Sequence, residues 1–101
     1  MMPQDNVYGP WPNSGEIDIL ETRGNAPESY PMGTNLVSST LHWGTNPENN
    51  AFQLTNGGFA AKRTKYNFDF HTFGLEWSEK YLFTWLDGRL WQVLYVDFAQ
   101  K

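Results

Sequence analysis

The chain has 101 residues, eleven acids against seven Lys and Arg, a net charge of −4 and no cysteine. That length suits one small domain, because a compact core needs most of it to bury enough apolar surface. A basic nucleic-acid face, a disulfide framework, a thiol nucleophile and a Cys-based zinc site are all excluded by composition.

Five Trp, five Tyr and seven Phe are more rings than a core of this size needs. Combined with few cations they suit a neutral, hydroxyl-rich ligand such as a carbohydrate, whose C–H faces pack on aromatic rings. Each ring taken singly has core packing as its alternative, since aromatics supply much of the buried area of β proteins. Met1-Met2-Pro3-Gln4-Asp5 carries neither a basic nor an apolar leader region, and no stretch reaches the length of a membrane span.

In chain order, Tyr8-Gly9-Pro10-Trp11-Pro12-Asn13-Ser14-Gly15 sets two prolines and two glycines around a Trp and predicts a shaped loop. Ile17-Asp18-Ile19-Leu20 predicts a strand, residues 36–43 a second and residues 70–77 a third. Residues 24–34 and 45–58, rich in Asn, Pro and Gly, read as loops. Residues 81–86 and 90–96 flank Asp87-Gly88, which predicts a tight hairpin because Asp-Gly tolerates the positive φ of a two-residue turn. Helical periodicity is absent, so the fold class is all-β, a sandwich or barrel of antiparallel strands.

The segment richest in chemistry is Gly15-Glu16-Ile17-Asp18-Ile19-Leu20-Glu21, which sets three acids among residues otherwise suited to a buried strand. Glu16 and Asp18, two apart, share a face of a regular strand. Glu21 joins them only if a β-bulge at Ile19-Leu20 absorbs one residue, and bulges are frequent beside active sites. With that bulge the backbone rise from Glu16 to Glu21 is roughly 13 Å at about 3.3 Å per step, and inward-leaning side chains bring the carboxyls to about 5 Å. Such a separation fits a retaining glycosidase, and Asp18 between the two would help push their pKa values apart. Two other readings stand beside this one. The acids could lie on the exposed face of an ordinary strand, or hold a hard cation such as calcium, although interleaved Asn, Asp and Gly ligands are missing.

Trp11-Pro12-Asn13-Ser14-Gly15-Glu16-Ile17-Asp18-Ile19-Leu20-Glu21 resembles the signature of glycoside hydrolase family 16, in the bulged form of its laminarinase-like members. Ser39-Thr40-Leu41-His42-Trp43-Gly44, then Phe70-His71-Thr72-Phe73-Gly74-Leu75-Glu76-Trp77 and Asp87-Gly88, are similar to its next stretches in the same order. The resemblance implies a β-jelly roll and endo cleavage of β-glucan with retained configuration. It makes Glu16 the nucleophile, Asp18 the assisting acid and Glu21 the general acid/base, with no metal and no cofactor. Trp11 would stack on the sugar under attack, His42 would lie near Glu21 and tune it, and Trp43 would serve as a subsite platform or as core.

His71 and Trp77 read as mainly structural. The wording is closest to fungal members, which implies a secreted enzyme acting on β-1,3-glucan, with mixed β-1,3/1,4 or β-1,6-branched chains as further substrates. A glucan-binding module and a cell-wall transglycosylase on the same scaffold are the competing expectations. Family domains are longer than this chain, so residues 1–101 read as one partial catalytic domain, the central part of a jelly roll with exposed edges.

Overall fold

A computed structural model describes residues 1–29 and 33–95. Six strands form among them: β1 (Glu16–Thr22), β2 (Leu36–His42), β3 (Asn56–Ala60), β4 (Phe73–Trp77), β5 (Tyr81–Leu86) and β6 (Arg89–Tyr95). They make two antiparallel three-stranded sheets, β1-β2-β3 and β4-β5-β6, each a simple meander. Short 3-10 turns at Pro47–Asn49, Phe52–Leu54 and Tyr66–Phe68 are the other regular elements, and none of the described residues is in an α-helix. Of the sandwich or barrel that the strand pattern allows, the all-β sandwich of two antiparallel sheets is the observed architecture.

The sheets meet with β2 over β5. Val37, Ser39 and Leu41 alternate along β2 and are buried, and Leu82, Thr84 and Leu86 do the same along β5. This is the period of two that a sheet with one covered face requires. The Asp87-Gly88 turn has φ of 50° and 75°, the positive pair that closes a two-residue hairpin. Asp87 also ties the turn to the chain before β4. Its carboxylate accepts from the Thr72 amide at 2.8 Å and lies 2.6 Å from Nδ1 of His71, which gives His71 the structural part expected of it.

Several boundaries differ from the sequence reading, with β1 running from Glu16 to Thr22 beyond residues 17–20 and β6 starting at Arg89. Residues 56–58, read as loop, belong to β3, which pairs with β2 from Thr40↔Asn56 to Leu36↔Ala60. A Cβ on Gly57 would lie 2.2 Å from Oε1 of Gln92 in the facing sheet, so a larger residue there would have to push that side chain aside. The third strand starts at Phe73, leaving Phe70 wholly exposed. The second ends at His42, one residue before Trp43. Val96, expected in the hairpin, and residues 30–32 of the first loop lie outside the described residues.

Candidate active site

β1 pairs with β2 in the register Glu16↔His42, Asp18↔Thr40, Glu21↔Ser38. Two residues separate Asp18 from Glu16, but three separate Glu21 from Asp18, against two on β2 at each step. The register shift between Asp18 and Glu21 is therefore a one-residue bulge. Residues paired across an antiparallel ladder share a face, and His42, Thr40 and Ser38 alternate along β2. The three acids consequently stand in one row on the face of the first sheet turned away from Val37, Ser39 and Leu41. Oxygen Oγ of Ser39 donates to the Asp18 carbonyl at 3.0 Å and fastens the backbone where the bulge begins.

Each acid has a different partner. Glu16 follows Gly15, whose φ of 81° turns the loop into β1. From that loop Trp11 donates its indole N–H to Oε2 of Glu16 at 2.7 Å. An indole can only donate, so that oxygen accepts. Glu21, more exposed, accepts from Oγ1 of Thr40 at 3.0 Å. Thr40 is itself buried and accepts from Nδ2 of Asn56 at 2.6 Å. Its own proton thus points at Oε2 of Glu21 and leaves Oε1 for a reacting group.

Asp18 lies between them, with Oδ2 3.1 Å from Nε2 of His42. Burial pushes its carboxyl above the usual value of 3.8. The neighbouring charges of Glu16 and Glu21 and a hydrogen bond shared with Glu16 push it the same way, and His42 opposes them. Asp18 therefore holds a proton more readily than an ordinary aspartate does.

His42 stands opposite Glu16 and contacts Asp18, next to Glu21 in the row, while Thr40 is the residue that donates to Glu21. The bulge sets Glu21 opposite Ser38, one step nearer to His42 than a regular strand would, yet still four residues of β2 away from it. The imidazole lies between the Trp11 ring, tilted at 5.6 Å, and the Phe52 ring, stacked at 5.4 Å. Trp43, next along the chain, donates its indole N–H to Thr55 Oγ1 at 3.3 Å and leaves 46% of its surface exposed. It is not drawn into the row of acids.

Thr40, Asn50, Phe52 and Asn56 escaped the sequence reading. Strand parity could have found Thr40, since it faces Asp18 across the ladder. The other three belong to a segment that reads only as loop. Among the described residues no group of three or more His, Asp or Glu has the geometry of a metal site.

The family model described as glycosyl hydrolases family 16 matches residues 1–100. A glucan endo-1,3-beta-glucosidase of Cryptopygus antarcticus is 41% identical over 101 residues, covering 100% of this chain and 33% of that protein. A beta-1,3-glucan-binding protein of Penaeus monodon is 38% identical over 90 residues, covering 89% of this chain and 24% of that protein. The chain thus spans a third or less of the length of these curated relatives. Among solved structures, a Bacteroides ovatus mixed linkage glucan GH16 protein in complex with the product G4G4G3G superposes with a TM-score of 0.73 at 20% identity. That match covers 99% of this chain and 40% of the other. The two sheets are accordingly part of the jelly roll that this fold forms. With the family's pattern running from the first residue to the last but one, the chain belongs to glycosyl hydrolases family 16.

Proposed function

We propose that this chain carries the reacting carboxylates of a retaining endo-β-glucanase that cleaves internal β-1,3 bonds, with mixed β-1,3/1,4 chains as further substrates. The observation that supports it is the bulge between Asp18 and Glu21, which lines up three acids that a regular strand would split between two faces. Four residues of β2 separate the partners of Glu16 and Glu21, a rise of roughly 13 Å that two inward-leaning glutamates reduce to the about 5 Å of a double displacement.

In this reading Glu16, held as an acceptor by Trp11, attacks the anomeric carbon while Glu21 gives its proton to the departing glycosidic oxygen. The covalent bond to Glu16 is then broken by water, whose proton Glu21 takes back. Asp18, protonated more readily than an ordinary aspartate, hydrogen-bonds Glu16 and keeps a second negative charge away from the nucleophile as its own charge is released. Trp11 and Trp43 offer rings to the glucan, and His42 supports the row from the side. A polymer of this kind does not enter cells, so the reading carries an extracellular place of action.

A second reading, a glucan-binding protein without catalysis, is favoured by the likeness to the Penaeus monodon protein. Retention of Glu16, Asp18 and Glu21 together speaks for the enzyme. The test is Glu16→Gln in the full-length gene product, with reducing-sugar release from laminarin and lichenan measured beside binding to insoluble glucan. The enzyme reading expects hydrolysis to fall by roughly 10³-fold with binding kept. Unchanged hydrolysis would overturn it, and an inactive parent that binds laminarin would select the second reading.

A further inference from the structure

Asn50 lies in the loop between β2 and β3, outside the row of acids, and its side chain is held at both ends. Its Oδ1 accepts from two backbone amides, Trp43 N at 3.3 Å and Phe52 N at 3.2 Å. Its Nδ2 lies 2.8 Å from Nδ1 of His42. The oxygen and nitrogen of an asparagine look alike in shape, and their hydrogen bonds decide which is which. Backbone amides only donate, so the end facing Trp43 and Phe52 has to be the oxygen. The reversed amide would set an NH₂ against two N–H donors and lose both bonds.

An NH₂ also only donates, so Nδ1 of His42 has to accept and carries the lone pair. The single proton of the neutral ring then lies on Nε2, which faces Oδ2 of Asp18 at 3.1 Å. We propose that Asn50 is a positioning residue that fixes His42 in the Nε2–H tautomer and so aims an N–H bond at Asp18. This rests on the catalytic reading of Glu16, Asp18 and Glu21.

The contacts run from loop to nucleophile. Two amides orient Asn50, Asn50 orients the imidazole proton, and that proton makes Oδ2 of Asp18 an acceptor. The other oxygen of Asp18 is thereby left free for the side chain of Glu16, the proposed nucleophile. Trp11 and Phe52 pack against the imidazole and help to set the plane of its ring. His42 and Asp18 are joined by an ordinary N–H···O bond in this arrangement, which needs no positive charge on the ring.

Asn50→Asp isolates the effect. The carboxylate keeps an acceptor for the two amides, so the loop stays anchored, but it presents oxygen in place of NH₂ to Nδ1. In long-range ¹H–¹⁵N correlation spectra of the full-length gene product, the His42 signals are assigned by their loss in a His42→Gln variant. The parent is expected to show a protonated Nε2 and a bare Nδ1 on His42, and Asn50→Asp a protonated Nδ1. Glucan hydrolysis by Asn50→Asp is expected to lose roughly tenfold or more in kcat with KM changed less than about twofold, because the bond acts on the reacting groups and not on the sugar.

A parent ring protonated on Nδ1 overturns the proposal without recourse to any variant. An unchanged tautomer in Asn50→Asp, or a switched tautomer with unchanged kcat, overturns it as well. The spectra need no turnover, so they separate this proposal from the catalytic reading, which stands or falls on Glu16→Gln.

Discussion

Trp11 donates its indole N–H to Oε2 of Glu16 across 2.7 Å, linking a proline-rich loop to the first residue of β1. A hydrogen bond to a charged acceptor contributes about 1.5–3 kcal/mol. Trp11→Phe keeps a ring for the sugar and removes the donor. Its kcat/KM on laminarin is therefore expected to fall by roughly 10- to 100-fold, mostly through kcat, which steady-state kinetics measures directly. A change confined to KM would assign Trp11 to sugar stacking alone.

Asp18 trades stability for position. Its folded-state pKa is raised above 3.8 by burial and by its acidic neighbours. A raised carboxyl favours the fold fully below its unfolded value, and that advantage is lost as pH rises through the folded value. Asp18→Asn stays neutral throughout. Its unfolding midpoint in urea is expected to exceed the parent's at about pH 7 and to converge with it at about pH 3. Hydrolysis should meanwhile fall by roughly 10²-fold. A variant less stable than the parent at neutral pH would refute the assignment.

The bulge was legible because three acids at this spacing are otherwise split between faces, and the β5–β6 hairpin because Asp87-Gly88 has one conformation that closes it. β3 was not legible. Asn56-Gly57-Gly58 has the composition of a turn, and its strand conformation comes from the ladder with β2 and from Gln92 filling the space above Gly57. The contact of His42 with Asp18 was not legible for a related reason: which acid it meets depends on cross-strand register, which no local pattern specifies. Asn50 is further still from local rules, since its role needs Trp43, Phe52 and His42 to converge through the folded loop.

Gly74 stands opposite Trp85 in the β4–β5 ladder, and a Cβ on it would lie 1.9 Å from Cε2 of the indole. The ring covers the glycine, so any side chain displaces it. Gly74→Ala is expected to cost about 1–3 kcal/mol and to lower the melting temperature by roughly 5–20 °C. Combining it with Trp85→Leu should shrink the penalty, and a double-mutant cycle by calorimetry reads that coupling. Additive losses would disprove the contact.

Thr84, in the middle of β5, has 0% exposure, and its hydroxyl has no hydrogen-bond partner. Burying an unpaired hydroxyl is unfavourable, while the methyl of valine fills the same space. Thr84→Val is expected to leave stability unchanged or raise it by up to about 1 kcal/mol in urea titrations. A loss of similar size would mean the hydroxyl is satisfied after all.

The first sheet is assembled from strands that are neighbours in sequence as well as in space. Pairing of that kind closes short loops and forms early, because little chain entropy is lost before contacts repay it. Trp11, the acids of β1, Thr40, His42 and Asn50 all precede the second sheet in the chain. Synthesis from the N-terminus therefore delivers them first, while β5 and β6 are still unmade. The later strands arrive at an arrangement already drafted and close its back, with Gln92 Nε2 donating to the Thr55 carbonyl at 3.1 Å.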